Sequence, residues 1–442
     1  MSYQAPGVIV NGNPVITGST AFVTPSTTAL VCNLTQLPQK SETVVISNGS
    51  TIAISAPNLV SGTVTISLSS GTPLIEGTDF TVSGSTVTIS DASLTNALAT
   101  LSYQYVPVNF YSALKWFNFA SVQSFYGPAF DSNGNVENVP SAAAYYAFNN
   151  GAQSVCIIPV YQPADATSGS SAATGQTLAT ALSTLSQEDD IAVIVPCNFP
   201  SSDFATFTQA IQQGNQIGNM RRGIYGISSN DSDASTVEQM QTLAAGINSF
   251  EVMLIGNMEA FSTTGTSLPP YLYACAVAGV NSTVEFYTTL TNKTVGGFGQ
   301  DVSLTPTAMN SLAGSGMTVI NARNGSNKIR QSLTTWQSSL LDWSYGGVYN
   351  YLKDSVKSLF DSYVGQPATS SVVLSIQATL TLFLEQQVQQ GIINSYSNAS
   401  VQIAPSSPDT ILVNFTATWQ APLNYIEVDF NFNTVTGTVS NS

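Results

Sequence analysis

Two patterns of hydrophobic and polar positions follow one another along the chain, and they predict different kinds of structure. From about residue 41 to residue 105, short β-branched runs alternate with Gly, Asn and Asp, a pattern typical of strands joined by turns. Pro38 and Pro107 bracket this stretch. The pattern therefore predicts an inserted, sandwich-like all-β module over residues 38–107.

Beyond residue 107, amphipathic helical stretches alternate with short apolar strands. Val155–Val160 and Ile191–Val195 are almost wholly apolar, as expected for strands buried on both faces. Such alternation predicts an α/β core with a largely parallel sheet, which we assign to residues 21–37 and 108–345. The remaining predicted strands are Gly223–Ile227 and Val252–Ile255. The predicted helices are Tyr111–Phe119, Ser141–Asn149, one that ends near Gln187 after the linker Thr167–Gly175, Asp203–Gln213 and Ser235–Ile247.

The stretch 346–424 predicts a C-terminal α+β domain. Gly346-Gly347 opens it, and an amphipathic helix is expected from Val348, with Lys353 and Lys357 on the side opposite its apolar stripe. The following elements are a second helix, Val372–Gln390, closed by Gly391, and the strands Ser400–Ala404 and Thr410–Trp419.

Both ends of the chain read as short extended segments, which we expect to form an N-terminal arm (1–20) and a C-terminal strand arm (425–442). Apolar and polar residues alternate near the C-terminus, so a strand there has one apolar face that must be buried. We expect both arms to complete sheets in neighbouring subunits. The candidate residues for this strand exchange are Tyr3, Val8, Ile9, Val10, Ile426, Val428, Phe430 and Phe432.

The charge content changes what kinds of partner are plausible. Only 8% of the 442 residues are charged, against roughly a quarter in ordinary soluble domains. Either the composition is of an acidic extracellular type, or neighbouring subunits cover much of the surface. The net charge of −15 argues against nucleic acid as a partner. From Ser358 onward there is no Lys or Arg at all.

The sequence also limits the compartment. Four widely spaced cysteines in mostly apolar settings predict buried, reduced thiols. Near the start, no basic segment precedes an apolar run, so we expect no secretory signal and synthesis in the cytoplasm. No apolar stretch is long enough to span a membrane, so we expect no membrane insertion.

Catalytic chemistry has little support. The chain contains no histidine, and no phosphate-binding glycine motif is present, so neither an enzyme nor a bound cofactor or metal is expected. Glu188-Asp189-Asp190 could serve a glycosidase, although a polar loop is the simpler interpretation. Arg221-Arg222 could bind an anion, or form a surface or inter-domain salt bridge. Lys353 and Lys357 form either a solvated helix face or a basic face directed at an acidic partner.

The order of several short motifs is similar to that of contractile tail sheath proteins of myoviruses and related devices. The resemblance covers nearly the whole chain, although a basic residue common in that family is replaced here by Ile158-Pro159. The motifs are Tyr3–Val10, Glu76–Phe80, Gly84–Ile89, Leu101–Tyr105, Ala147–Ala152, Val155–Val160, Asn292-Lys293, Leu304–Pro306, Leu312–Gly316, Met317–Asn321 and Gly391–Tyr396.

This resemblance implies a structural subunit of a virion tail, assembled in the host cytoplasm. It implies stacked hexameric rings around a tail tube, strand exchange through both arms, and a contraction that drives the tube through the host envelope. The partners it implies are further copies of the chain, the tube protein, and baseplate and tail terminator proteins, with Lys353 and Lys357 as the candidate tube contact. The alternatives are a secreted adhesin or carbohydrate-active enzyme, which the acidic, Ser/Thr-rich composition and the predicted all-β module motivate, and a less favoured tail tube or fibre subunit.

Overall fold

The computed structural model describes residues 27–161, 175–229, 231–300, 303–323 and 325–423. Its first strand, β1 (Thr27–Asn33), lies in the middle of the main sheet. Leu30 and Cys32 of this strand join one hydrophobic cluster, whereas Ala29 and Val31 join another. Because successive side chains of a strand point to opposite faces, β1 is buried on both sides.

Between residues 39 and 104, every regular element is a strand. These strands are β2 (Gln39–Ile46), β3 (Thr51–Ala53), β4 (Thr65–Leu68), β5 (Pro73–Leu74), β6 (Phe80–Ser83), β7 (Thr86–Ile89) and β8 (Ala97–Gln104). They form two antiparallel sheets, β2-β8-β4-β5 and β3-β7-β6. Ile46, Phe80 and Leu101 belong to the cluster of buried side chains that these strands enclose. We call this unit the β module.

The main sheet has six strands, and its order shows the parallel arrangement expected of an α/β core. After β1, its strands are β9 (Leu114–Trp116), β10 (Val155–Val160), β11 (Ile191–Cys197), β12 (Arg222–Tyr225) and β13 (Val252–Leu254). The order is β13-β12-β11-β1-β10-β9. Five of these strands run parallel, and β9 pairs antiparallel with β10 at one edge. The predicted largely parallel sheet is confirmed.

Helices cover both faces of the main sheet. The core helices are α1 (Phe119–Tyr126), α2 (Val139–Asn149), α3 (Leu178–Leu185), α4 (Phe204–Ile217), α5 (Val237–Ile247), α6 (Tyr271–Asn281) and α7 (Pro306–Gly314). Side chains of α1, α2 and α6 belong to the cluster on one face, and those of α3, α4, α5 and α7 belong to the cluster on the other. Two small hairpins complete the core: β14 (Ala260–Phe261) with β15 (Ser267–Leu268), and β16 (Ile320–Arg323) with β17 (Ser326–Ile329).

Two long helices and one hairpin form the C-terminal part. They are α8 (Trp343–Asp361), α9 (Ser370–Gln389), β18 (Ile393–Ala404) and β19 (Ser407–Trp419). Val348 and Val356 of α8 pack with Leu380 of α9 in a separate hydrophobic cluster, against which one face of the hairpin lies. Gly391 follows the last turn of α9 with φ +71°, a left-handed conformation that suits the glycine predicted to close this helix.

Several predicted elements are wrong in type or start. The strand predicted at Ser400–Ala404 begins seven residues earlier, at Ile393. The helix expected at Tyr111–Phe119 is instead the edge strand β9, followed by α1. Asn118 caps α1, since its side chain accepts a hydrogen bond from the Ser121 amide at 2.9 Å, and this cap starts the helix where the predicted one ended. The helix expected from Val348 begins five residues earlier, at Trp343, because Asp342 caps it there.

Candidate assembly surfaces

The hairpin β18–β19 has unpaired edges. Within the described part of the chain its two strands pair only with each other, over 12 and 13 residues. Ile411, Val413 and Phe415 face the helices, whereas the intervening Leu412 and Asn414 are exposed. The outer edges therefore present backbone groups that another extended chain can hydrogen-bond.

The predicted strand-exchange residues lie outside the described part of the chain. These residues are Tyr3, Val8, Ile9, Val10, Ile426, Val428, Phe430 and Phe432. Their pairing therefore stays a prediction. The described chain ends four residues after β19, at Leu423, which is 78% exposed.

An apolar strip runs along the exposed side of α9. Leu374 and Leu382 are 69% and 59% exposed, and the smaller Ala378 lies exposed between them. Residues four apart share a side of a helix, so the three form one strip. Side chains of this size are usually covered in the functional form of a protein when they are grouped.

The two lysines of α8 have different surroundings. The ammonium group of Lys353 donates a hydrogen bond to the backbone oxygen of Asn215 in α4, at 2.9 Å. Burial lowers the pKa of Lys353, although the nearby Glu251 and Asp354 act in the opposite direction. Lys357, one turn further on, is only partly buried and has no ion pair with any described carboxylate. Of the two, Lys357 is thus the one whose charge is available to a partner.

Arg222 joins the core to α8. Its guanidinium lies 3.9 Å from the centre of the Trp343 ring and donates to the Trp343 carbonyl at 2.8 Å. Burial lowers the pKa of Arg222 to about 9, while Asp342 and Glu251 act to raise it. At neutral pH the side chain is therefore a buried cation that an aromatic face and a carbonyl stabilise.

The salt bridge expected from Arg221-Arg222 is wrong. Neither arginine lies within ion-pair distance of a carboxylate among the described residues, and both are buried. The Arg221 guanidinium donates to the backbone oxygen of Glu188, and its amide donates to the Asn215 side chain at 2.6 Å. Backbone carbonyls and an aromatic ring are the direct partners of this buried pair, and these contacts offset part of the cost of removing the guanidinium groups from water.

Asn215 connects these groups. Its side chain donates to the Arg221 carbonyl at 2.9 Å and to a carboxylate oxygen of Glu251, while its own carbonyl accepts from Lys353. Burial raises the pKa of Glu251, and the hydrogen bond from Asn215 opposes that shift. One polar network therefore ties α4 and the main sheet to α8.

Carboxylates of the loop 188–190 form contacts that hold the loop in place. Lys115 of β9 lies 2.9 Å from a Glu188 oxygen and 2.8 Å from an Asp190 oxygen. Asp190 also accepts a hydrogen bond from the Thr27 hydroxyl at 2.9 Å. Burial alone would raise the pKa of Asp190, but the hydrogen bonds from Lys115 and Thr27 outweigh it and lower the pKa. The arrangement supports the polar-loop interpretation over paired catalytic acids.

All four cysteines are free and buried, which confirms the prediction for Cys32, Cys156, Cys197 and Cys275. Among the described helices, none combines the length and apolar composition that crossing a bilayer requires. Over the same residues, no group of three Cys, Asp or Glu side chains is arranged to hold a metal ion.

Comparison with known proteins gives one curated relative and several solved structures. No protein-family model matches the chain. Over 353 residues, the chain is 24% identical to the tail sheath protein of Mycobacterium phage Bxz1. The match covers 77% of this chain and 60% of that protein, so the chain spans less than two thirds of the relative's length. This chain resembles tail sheath proteins. The resemblance inferred from its motifs is confirmed.

Solved structures show the same fold at low identity. A chain in the six-fold symmetrised baseplate of the anti-feeding prophage superposes with a TM-score of 0.56 at 12% identity, covering 74% of this chain and 89% of that one. The contracted helical sheath of the same particle gives a TM-score of 0.55 at 14% identity, covering 74% and 90%. The mixed α/β architecture is thus a sheath-like fold.

Sequence reasoning found the lysines of α8 but missed the groups that hold one of them. Asn215 and Glu251 lie far from Lys353 in sequence, and each is an ordinary polar residue of the core. Asn215 and Glu251 hydrogen-bond to each other within the core, and no local pattern marks them as neighbours of Lys353, because that contact forms only when α8 packs against the core.

Proposed function

We propose that this chain is a structural subunit of a contractile tail sheath. The observation that carries the proposal is the agreement between sequence similarity to a phage tail sheath protein and a sheath-like fold. The subunits polymerise as stacked hexameric rings around a tail tube and contract to drive the tube through the host envelope. The chain is a virion component that assembles in the host cytoplasm and has no catalytic role.

Strand exchange links the rings in this proposal. The arms 1–20 and 425–442 leave the subunit and pair with the free edges of β18–β19 in neighbouring copies. Main-chain hydrogen bonds give such a link its strength, so it persists while side-chain contacts between rings change during contraction. The long ribbon with two open edges supports this role for the hairpin.

Other partners follow from the position of a sheath in a tail. The tube protein contacts α8 through Lys357, with Lys353 beside it, and baseplate and tail terminator proteins bind the two ends of the stack. The exposed strip Leu374, Ala378 and Leu382 becomes buried in the assembly. Lys357 is partly exposed and forms no ion pair with a described carboxylate, which supports the first of these contacts.

Negative-stain electron microscopy of the purified protein tests the proposal. A sheath subunit concentrated at neutral pH forms cross-striated tubes of uniform width. Discrete particles at every concentration, with or without a tube protein, would contradict it.

A further inference from the structure

Most of the basic residues of the core lie in one stretch of the sequence. The stretch 286–341 contains Lys293, Arg323, Lys328 and Arg330 against the single acid Asp301. The whole chain has only 10 basic residues and a net charge of −15. This stretch is therefore basic within an acidic protein.

The fold brings three of these residues close together along the chain backbone. Lys328 lies in β17, where it pairs with Asn321 of β16 and forms a bridge with Thr294. The turn at Asn292 and Lys293 lies beside the end of β17, since the Asn292 amide donates to the Ile329 carbonyl and the Ile329 amide donates to the Lys293 carbonyl. Arg330 directly follows β17, two residues after Lys328. We call Lys293, Lys328 and Arg330 the basic patch.

The basic patch is not neutralised by the described part of its own subunit. Lys293 and Arg330 are exposed, and Lys328 is partly buried. None of the three lies within ion-pair distance of a carboxylate among the described residues. Arg330 instead donates to the side-chain oxygen of Asn310 in α7, which is a neutral partner. The positive charge of the patch is thus open to a partner.

A hollow lies next to Arg330. Its volume is about 270 Å³, and Asn310, Gly314 and the 54% exposed Leu340 contribute to its wall. A charged group beside a partly apolar depression can orient a partner as well as attract it.

We propose that the basic patch binds an acidic surface of a second copy of this chain. The charge distribution of the chain supplies that surface, because the C-terminal part after Lys357 contains acids and no Lys or Arg. Among its described residues, Glu385 on α9 and Asp409 at the start of β19 are exposed. Glu385 also lies one turn beyond Leu382 of the apolar strip, so an acid and an apolar side chain lie together there.

This contact is heterologous, since a basic surface of one copy meets an acidic surface of the next, and such contacts build rings or helices. It rests on the proposed sheath function, to which it adds an electrostatic contact between subunits. Three lysine and arginine side chains are a small footprint for nucleic acid, which the net charge of −15 repels.

Charge reversal tests the proposal. We expect K328E/R330E to raise the critical concentration for tube formation ~10-fold or more at low salt, because like charges then meet across the contact. For the wild type, raising NaCl from about 50 to about 500 mM weakens polymerisation, since salt screens exposed charges. Sedimentation of tubes after ultracentrifugation measures both effects, and the unfolding midpoint of the unassembled variant checks that it folds.

Single reversals supply the matched control. K328E and K40E change the net charge equally, but Lys40 lies on the β module and already pairs with Glu42. We expect K328E to impair polymerisation and K40E to change the critical concentration less than ~2-fold, the size of an exposed surface pair. Restoration of tubes by adding E385K or D409K to R330E would identify the acidic surface directly.

The outcomes separate this contact from the proposed function. If the wild type forms tubes and K328E/R330E polymerises equally well, the proposed contact is wrong but the sheath function is unaffected. Loss of binding to a polyanion column with unchanged polymerisation would also overturn it, in favour of nucleic acid. A wild type that never forms tubes would contradict the sheath function itself.

Discussion

The guanidinium of Arg222 lies 3.9 Å from the centre of the Trp343 ring and donates to the carbonyl of the same residue. Arg222 begins strand β12 of the main sheet, and Trp343 begins α8, so the contact joins the core to the C-terminal helices. Trp343 itself packs in the core cluster, and its indole nitrogen donates to Asn281 at 2.7 Å. The start of α8 is therefore anchored in the core.

Replacing Arg222 with methionine should weaken this anchor. The variant loses a cation–π contact and a charged hydrogen bond in a buried site, together about 2–4 kcal/mol. We expect the midpoint of thermal unfolding to fall by roughly 5 °C or more. R222K keeps the positive charge but not the planar guanidinium, so its unfolding midpoint should lie between those of the wild type and R222M. If R222M unfolds at the same midpoint as the wild type, the contact contributes nothing to stability.

Gly347 allows α8 to approach the core closely. A Cβ atom at this position would lie 2.2 Å from the backbone oxygen of Phe286, which cannot move aside as a flexible side chain can. We expect Gly347→Ala to destabilise the subunit by about 2 kcal/mol or more, because the helix must shift. Circular dichroism during thermal unfolding measures the change.

Gly246 provides the matched control. It also lies in a helix, α5, but a Cβ atom there would meet nothing within 4 Å. Gly246→Ala should therefore stabilise the protein by about 0.5–1 kcal/mol, the usual gain in an exposed helix. Equal effects of the two substitutions would contradict the close approach at Gly347.

The two glycines also show where sequence reasoning stopped. The sequence pattern places Gly346-Gly347 at the start of the C-terminal domain, since glycine pairs often mark the boundary of a structural element. They instead lie within the first turns of α8, where backbone atoms of Phe250 and Phe286 come close. A glycine in a loop and a glycine in a close helix contact cannot be told apart from the sequence. Only the packing partner in the folded structure distinguishes the two cases.

Periodicity predicts the long amphipathic helices well, and the apolar runs of β10 and β11 also stand out, but a helix buried on every side has no period to detect. The amphipathic α5 and α9 were predicted close to their observed bounds. Helix α6 was not predicted, because ten of its eleven residues are buried and no polar face marks its period. The burial of Arg221 and Arg222 is likewise hidden in the sequence, since Arg222 contacts Trp343, 121 residues away, and Arg221 contacts Glu188, 33 residues away.

Asp190→Asn tests the structural use of the acidic loop through pH. The pKa of Asp190 is lowered from its ordinary value of 3.8, so its ion pair with Lys115 stabilises the fold above that pH. As the pH falls through the lower pKa of the folded state, the carboxylate takes up a proton and the contribution is lost. We expect D190N to be less stable by about 1 kcal/mol at neutral pH, a modest value because both side chains are partly solvated.

The difference between wild type and D190N should shrink below about pH 4. Denaturant unfolding at two pH values measures it. Asp189→Asn is the control, since the neighbouring Asp189 forms no ion pair with a described residue. A D190N difference that is independent of pH would contradict the assignment.

Deleting residues 425–442 tests strand exchange. The described domains end before this segment, and the hairpin β18–β19 does not depend on it for its own pairing. We expect the truncated subunit to keep the circular dichroism spectrum of the folded protein but to form no tubes. Replacing only Ile426, Val428, Phe430 and Phe432 with serine should have the same effect, because it removes the apolar face that a recipient sheet would bury. Tubes of normal length from either variant would contradict the arm hypothesis.

Lys357→Glu tests the contact between α8 and the tube. Lys357 is partly exposed and forms no ion pair with a described carboxylate, although its charge opposes the rise that burial causes in the pKa of Asp354. Its reversal should therefore leave the subunit folded, with only a small loss of stability. We expect K357E to impair co-assembly with the tube protein and to spare polymerisation without a tube, both measured by negative-stain microscopy. Lys353→Glu differs, since it also breaks the hydrogen bond to Asn215 and places a second carboxylate near Glu251. It should therefore lower the unfolding midpoint as well, and equal stability of the two variants would argue against the network that ties α8 to the core.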